Sequence, residues 1–222
     1  RALELTDLLA DHARWVKVGM TLFYRYGPGI VQEMKDRGFN VFLDLKVHDI
    51  PFQVHGAVRS ASLSGADIIS IHALGGSYMI ASGRSGAAEA AEIRGVGEEG
   101  RTKLVAISIL TSMNEEDLSS IGVRDTVASE VERLAKLSYS AGVDGLVCSA
   151  QEASSMREIL GPEALIITPG IRPRGAEKGD QQRTATPASA ISAGASKLVI
   201  GRPITEAKDP CMAFEEIVKE LI

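Results

Sequence analysis

The chain has 222 residues, of which 45% are hydrophobic and 24% are charged. This length and composition predict one globular domain spanning residues 1–222, with a sizeable core, although the length alone would also permit two domains. The net charge of −5 argues against a nucleic-acid partner, because no basic excess is available for a phosphate backbone. No signal peptide opens the chain and no apolar stretch is long enough to cross a bilayer, so no membrane partner is expected.

One pattern recurs along the chain: an amphipathic stretch, a glycine and then a short apolar run. The glycines are Gly38, Gly65, Gly142 and Gly194, and each stands where a left-handed residue can end a helix. The Val- and Ile-rich runs that follow are typical of strands covered on both faces. The alternation of helix and strand predicts an α/β fold.

The chain begins with a predicted helix, ALELTDLLADH, and has no strand before it. Seven strands are predicted after it: Trp15–Gly19, Val41–Val47, Asp67–Ala73, Lys103–Leu110, Gly145–Ser149, Leu165–Gly170 and Leu198–Gly201. Seven strands do not close an eight-stranded barrel, so either the sheet is open or a first strand precedes Arg1. We favour the second alternative, a (β/α)8 TIM-type barrel whose first strand is missing from this sequence.

Charged side chains stand at the ends of the first two predicted strands. Because side chains alternate between the faces of a strand, Asp44 and Lys46 share one face of VFLDLKV. Lys17, in WVKVG, is flanked by valines and is expected to point to the same interior. Unpaired charges there would be costly, so we expect the acids and lysines to pair. The pairs are either a structural network or catalytic groups, since catalytic residues of such barrels lie at the carboxyl ends of strands.

Asp49 lies beyond this strand, just before Ile50 and Pro51. Pro51 is well suited to begin the next helix. Asp49 is therefore either the N-terminal cap of that helix or a residue that points out of its own barrel.

Basic strand ends in the last third of the chain predict a phosphate site. TPGIRPRG contains Pro169, Gly170 and Arg172, and VIGRPI contains Gly201 and Arg202. Loops after the last two strands of TIM barrels commonly bind phosphate through backbone N–H groups and an arginine. The polar stretch RPRGAEKGDQQR is interpreted as a lid over this ligand, with a solvated loop as the alternative.

Cysteines and histidines predict neither a disulfide nor a metal site. Cys148 and Cys211 are far apart, and the apolar run GLVCS predicts a buried thiol at Cys148, which suits a reducing, cytoplasmic setting. The histidines fit no clear metal spacing. His72 ends a predicted strand and is either a pocket residue or a satisfied structural histidine.

An ordered set of motifs resembles the bacterial orotidine 5′-monophosphate decarboxylase family over essentially the whole chain. The motifs are KVGMTLF, FLDLKVHDIP, SILTSM, VCSAQEA, TPGIR, DQQRTATP and VIGRPIT. The resemblance implies a TIM-type barrel that converts orotidine 5′-monophosphate to UMP and carbon dioxide in pyrimidine synthesis. It also implies that no metal or organic cofactor is needed, and that two copies form a homodimer with shared active sites.

The resemblance further implies a role for individual residues. Lys46 matches the proton donor to C6 of the pyrimidine, and Asp44 matches the acid near the substrate carboxylate. Lys17 matches the lysine that orders this network and contacts the ribose, and Asp49 matches an acid contributed across the dimer interface. The matching substrate-binding positions are Ile50, Thr111, Ser112, Pro169, Arg172, Gln181, Gly201 and Arg202.

Two other functions stay open at this point. One is a sugar-phosphate decarboxylase or aldolase-like synthase on the same barrel, which would be expected to use Mg²⁺. The other is a non-catalytic nucleotide-phosphate-binding barrel, or an inactive fragment. The segment LTSM and the strand-end arginines favour the decarboxylase over the synthase. The four charged residues Lys17, Asp44, Lys46 and Asp49 favour it over a non-catalytic barrel.

Overall fold

The computed structural model describes residues 1–174 and 183–221, in which strands and helices alternate along the chain. The strands are β1 (Trp15–Gly19), β2 (Asn40–Val47), β3 (Ile68–His72), β4 (Lys103–Ile107), β5 (Gly145–Val147), β6 (Leu165–Thr168) and β7 (Lys197–Leu198). The helices are α1 (Ala2–Leu9), α2 (Met20–Tyr26), α3 (Gly29–Asp36), α4 (Pro51–Leu63), α5 (Gly76–Arg94), α6 (Glu115–Ser120), α7 (Val127–Ser140), α8 (Ala150–Leu160), α9 (Pro187–Ser192), α10 (Arg202–Thr205) and α11 (Pro210–Lys219). None of the helices in these two ranges has the length and apolarity that a bilayer crossing requires.

All seven predicted strands are present, but several end earlier than the apolar runs indicated. β4 ends at Ile107, and its predicted continuation to Leu110 is a loop. β5 ends at Val147 because Ser149 begins the next helix as its N-cap, in a capping box with Glu152. These shortened strands leave polar residues in loops rather than in the sheet.

The described residues form two compact units. Unit 1 consists of Arg1–Ala106 and Ser140–Asp144, and unit 2 consists of Ile107–Tyr139 and Gly145–Ile222. Strands pair in the order β1-β2-β3-β4 in unit 1 and β5-β6-β7 in unit 2. Parallel pairing joins β1 to β2 and β2 to β3 in unit 1, and β5 to β6 and β6 to β7 in unit 2. Parallel strands joined through helices confirm the predicted α/β class.

The core of unit 1 lies between its strands and helices α4 and α5. Val41, Leu43 and Ile69 are fully buried strand residues, as expected for strands covered on both faces. The two helices approach closely at Gly86, where a Cβ atom would lie 2.3 Å from the backbone oxygen of His55. A side chain at position 86 would therefore force α4 and α5 apart.

The helix-ending glycines behave as predicted. The four glycines of the repeated pattern all have positive φ, between 85° and 100°: Gly38, Gly65, Gly142 and Gly194. Such a φ is costly for residues other than glycine, so the sequence pattern located these helix ends correctly. Cys148 is also buried, as predicted. Burial raises the pKa of its thiol, which keeps the thiol protonated.

Candidate active site

Three charged side chains meet at the carboxyl end of β2 in unit 1. The Lys46 Nζ atom lies 2.9 Å from each carboxylate oxygen of Asp44. The Lys17 Nζ atom lies 3.3 Å from Asp44 Oδ2. The Asp44 side chain is only 11% exposed, whereas the two lysine side chains are about one third exposed. We call Lys17, Asp44 and Lys46 the charge cluster.

The register of β1 beside β2 places Lys17 within reach of Asp44. Lys17 is the register partner of Phe42, and Gly19 is the register partner of Asp44. Gly19 has no side chain, and a Cβ atom there would lie 3.3 Å from Lys17 Nζ. The ammonium group of Lys17 therefore lies next to Gly19, where a larger residue would crowd it.

Lys46 occupies an irregular point in β2. Its φ is +53°, and it is the only non-glycine residue in the described part of the chain with positive φ. The register between β2 and β3 shifts between Leu43 and Val47, so the strand is not regular where the lysine sits. A left-handed backbone costs about 1–2 kcal/mol for an ordinary residue, and such strain is typically found at functional sites.

The buried side chain of Ser70, on β3, forms hydrogen bonds with both Asp44 and Lys46 of β2. The backbone N–H of Lys46 donates to Ser70 Oγ at 2.9 Å. The Ser70 hydroxyl donates to Asp44 Oδ1 at 2.8 Å. Sequence reasoning missed this residue, although a serine inside the apolar run IISIH is itself a signal that a buried hydroxyl needs partners.

The groups around Asp44 keep its carboxyl group ionised. Burial by itself would raise the pKa of Asp44, but the charges of Lys17 and Lys46 and the hydrogen bonds from Lys46 and Ser70 hold that pKa below its ordinary value. Asp44 therefore carries a negative charge at neutral pH, directly beside an ammonium group that can donate a proton.

Two histidines stack beside the lysine end of the cluster. The rings of His48 and His72 are stacked with centroids 5.3 Å apart. Burial, together with the charges of His48 and Lys46, lowers the pKa of His72 to about 4, so its ring is neutral at physiological pH. His72 Nδ1 accepts a hydrogen bond from the backbone N–H of Leu74. Of the two interpretations of His72, these contacts favour the satisfied structural histidine.

Asp49 is not the cap of the helix that follows it. The N-cap position of α4 is Ile50, which makes no side-chain capping bond, and Pro51 is the first helical residue as predicted. The Asp49 carboxylate instead accepts a hydrogen bond from the Ile50 backbone N–H at 2.7 Å. Asp49, Ile50 and Phe52 are all exposed, with Ile50 63% and Phe52 81% accessible. The helix-cap interpretation is therefore wrong.

In unit 2, the predicted pyrimidine-contact segment follows β4. Thr111 is half-buried and Ser112 is exposed, in a turn before α6. Arg183 donates from Nη2 to the backbone oxygen of Leu110 at 3.2 Å, and from Nη1 to the buried carboxylate of Glu152. This ion pair was not predicted, because its partners lie 31 residues apart in the sequence.

The predicted phosphate-site residues that the structure describes in unit 2 follow strands β6 and β7. Gly170 has a φ of +76°, and the Arg172 backbone N–H donates to the Ala185 oxygen at 2.9 Å. Gly201 precedes α10, whose first residue is Arg202, and both are exposed. Pro169 is half-buried beside Gly170. Gln181 and most of the predicted lid lie outside the described residues.

No group of three or more His, Cys, Asp or Glu residues within 1–174 and 183–221 is arranged to hold a metal ion. The chemically active groups of the charge cluster are an ammonium donor and a carboxylate. Such a pair can transfer a proton and can bind or repel an anionic substrate group.

Comparison with known proteins relates this architecture to one family. The family model described as "Orotidine 5′-phosphate decarboxylase / HUMPS family" matches residues 1–217. An orotidine 5′-phosphate decarboxylase of Vibrio cholerae is 45% identical over 221 residues, which cover all of this chain and 93% of the relative. One of Maridesulfovibrio salexigens is 46% identical over 220 residues, covering 99% and 93% respectively. The crystal structure of the orotidine 5′-phosphate decarboxylase from Lactobacillus acidophilus is 36% identical, with a TM-score of 0.82 and coverage of 98% and 93%.

Proposed function

The chain belongs to the orotidine 5′-phosphate decarboxylase family, and on this premise we propose that its charge cluster is the catalytic centre. The protein is a carboxy-lyase that converts orotidine 5′-monophosphate to UMP and carbon dioxide in pyrimidine biosynthesis. The prediction of a TIM-type (β/α) barrel is confirmed by the alternating parallel strands and by the likeness to the solved decarboxylase. The observation that carries the mechanism is the contact of the Lys46 ammonium with both Asp44 oxygens.

Lys46 is proposed to protonate the pyrimidine. The bond between C6 and the carboxylate carbon breaks and carbon dioxide leaves. The electron pair of the broken bond remains on C6. The Lys46 ammonium then transfers a proton to C6, and the resulting amine regains a proton from solvent. An ion pair at about 4 Å in a medium of effective dielectric constant near 20 is worth roughly 4 kcal/mol, enough to stabilise the developing carbanion substantially.

Asp44 and Lys17 are proposed to prepare this step. The resemblance assigns Asp44 a position near the substrate carboxylate, and repulsion between these two negative groups would disfavour the bound reactant more than the transition state. The depressed pKa of Asp44 supports this role, because a protonated Asp44 would repel nothing. Lys17 pairs with Asp44 Oδ2 at 3.3 Å. The resemblance also assigns Lys17 the contact with the ribose.

The phosphate and pyrimidine contacts are proposed from the family match. Arg172, Gln181, Gly201 and Arg202 would bind the phosphate, and Pro169 is assigned to the same binding region. Thr111 and Ser112 would contact the pyrimidine. Phosphate binding far from C6 can supply the energy that orders the reacting groups, so these residues are expected to affect kcat as well as KM.

A homodimer is proposed to complete each active site. Asp49 and Ile50 would enter the site of the other copy, so that each centre contains the partner subunit's Asp49. Two observations support this proposal: Asp49 is not used as a helix cap, and the adjacent apolar side chains of Ile50 and Phe52 are exposed in the single chain. Exposed apolar residues of this size are typical of a protein–protein contact.

We further propose that residues 1–222 act as one catalytic domain in the cytoplasm. The assignment to pyrimidine biosynthesis supports this proposal.

The deciding experiment is to follow pyrimidine absorbance while purified protein is incubated with orotidine 5′-monophosphate in the presence of EDTA. Turnover in EDTA is expected, because the proposed chemistry uses only the charge cluster. Absence of turnover by the folded protein would reject the proposed function. Turnover restored only by Mg²⁺ would instead favour the second enzyme hypothesis, a sugar-phosphate decarboxylase or aldolase-like synthase on the same barrel.

A further inference from the structure

We propose that Ser70 is a positioning residue that fixes the Lys46–Asp44 pair in its reactive geometry. This inference rests on the proposed role of the charge cluster. Ser70 itself is fully buried at the centre of β3, so it acts through the two residues that it contacts rather than on the substrate.

The direction of both Ser70 hydrogen bonds follows from the chemistry of the partners. A backbone N–H can only donate, so Ser70 Oγ accepts from Lys46 at 2.9 Å. An ionised carboxylate can only accept, so the Ser70 hydroxyl donates to Asp44 Oδ1 at 2.8 Å. One hydroxyl group therefore joins the backbone of the lysine to the side chain of the aspartate.

The β2–β3 register explains why a side chain is needed here. Leu43 pairs with Ile69 and Val47 pairs with Ile71, so three residues of β2 face a single residue of β3. That single residue is Ser70. Because the regular ladder is interrupted, the Ser70 hydroxyl replaces a backbone oxygen as the partner of the Lys46 N–H, and it does so where Lys46 has a φ of +53°.

Ser70 also restricts how Asp44 can rotate. Asp44 Oδ1 accepts from Ser70 and from Lys46 Nζ, while Oδ2 faces both lysine ammonium groups. The other described partners of this carboxylate are the ammonium groups of Lys17 and Lys46, which are carried on long, flexible side chains. The expected result of losing the Ser70 donor is a wider range of Asp44 and Lys46 orientations and fewer molecules with the proton donor correctly placed.

The first test compares Ser70→Ala with the matched control Ser62→Ala. Ser62 is equally buried in unit 1, but its hydroxyl has no hydrogen-bond partner among the described residues. We expect Ser70→Ala to lower kcat by about 100-fold with a much smaller change in KM, because misplacement of a catalytic group by about 1 Å has an effect of this order. Ser62→Ala should leave both constants near the wild-type values. Equal kcat in all three proteins would overturn the proposal.

A pH profile separates positioning from a general loss of packing. The charged and titratable groups around the pair are Lys17 from β1, Lys46 from β2, His48 after β2 and His72 from β3, and every variant keeps them. Loss of the Ser70 donor should raise the pKa of Asp44, so the acid limb of kcat/KM should move to higher pH. An acid limb that stays at the wild-type pH would contradict the proposal. Partial recovery of kcat in Ser70→Thr, which restores the hydroxyl, would support it.

Two further measurements keep the inference separate from the proposed function. If Ser70→Ala does not fold, Ser70→Cys retains a side chain of similar size with a weaker donor, and a smaller shift of the acid limb in the same direction is expected. The pKa of Asp44 can also be measured by carbon-13 NMR, with Asp44→Asn used for assignment. A wild-type protein without decarboxylase activity would reject the proposed function, whereas an unchanged Asp44 pKa in Ser70→Ala would reject the role of Ser70.

Discussion

Asp44 receives the Lys46 ammonium at 2.9 Å on both of its carboxylate oxygens, although the two residues stand only two positions apart on the same strand. This contact depends on an irregular backbone at Lys46 rather than on an extended strand. The oppositely charged side chains of Asp44 and Lys46 are therefore held together at the end of β2, where the substrate is proposed to bind.

The proton-donor role predicts a selective effect of Lys46→Ala. We expect kcat to fall by about 10²- to 10⁴-fold, the range that general acid catalysis contributes, while the far-UV circular dichroism spectrum stays unchanged. Lys103→Ala is the matched control, because Lys103 also lies on a strand and near a carboxylate, Asp144 at 3.7 Å. Similar losses of kcat in the two variants would argue against a specific role of Lys46.

The lowered pKa of Asp44 predicts how stability depends on pH. A carboxyl group whose folded-state pKa lies below its unfolded value stabilises the protein above the unfolded value of about 3.8, and this contribution is lost as pH falls through the folded-state pKa. Urea unfolding between pH 7 and pH 2.5 should show this loss in the wild type. Asp44→Asn should be less stable at pH 7 by about 2 kcal/mol and should lack this part of the pH dependence.

The control for that experiment is Asp36→Asn. Asp36 is an exposed carboxylate that accepts a hydrogen bond from Gln32 on the same helix. Its substitution should change the free energy of unfolding by less than about 0.5 kcal/mol. If both variants follow the same pH curve as the wild type, the charge cluster does not contribute to acid stability.

Sharing of active sites predicts complementation between two inactive variants. Lys46→Ala and Asp49→Ala should each have little activity as homodimers. In a mixed dimer, one of the two sites would combine an intact Lys46 with the intact Asp49 of the other copy, so about half of the wild-type activity per dimer is expected. The measurement is the rate of purified, differently tagged heterodimers. Heterodimers as inactive as the parent homodimers would exclude a shared site.

The buried pair of Arg183 and Glu152 predicts a stability effect in unit 2. Their side chains are only 13% and 10% exposed, and Glu152 also accepts from the Ser149 backbone N–H at 2.7 Å. Glu152→Gln leaves the guanidinium without its counter-charge, so the free energy of unfolding should fall by about 3 kcal/mol. Glu158→Gln, at an exposed position of the same helix, should have little effect.

Much of the fold follows from local signals in the sequence. Glycines such as Gly38 and Gly142 predicted where helices end, because few other residues adopt a φ near +90°. The apolar runs predicted all seven strands, but not their last residues, because an apolar run continues into loops such as 108–110. Strand ends depend on pairing with a neighbouring strand, which one strand's sequence does not contain.

The candidate site was predicted in part. Alternation brought Asp44 and Lys46 together correctly, but it assumed a regular strand and therefore missed the irregular backbone at Lys46. Ser70 was missed for the same reason, because its role depends on the register between two strands. The catalytic roles, the substrate contacts and the homodimer stay predictions.

The left-handed backbone at Lys46 has a consequence for directed selection. Glycine accepts a φ of +53° without a steric cost, so Lys46→Gly should fold more stably than Lys46→Ala, the reverse of the order seen at ordinary sites. A library sorted only for heat resistance would therefore rank glycine above alanine at this position. The same library sorted for growth without external uracil would recover lysine, so position 46 is one where stability and chemistry select different residues.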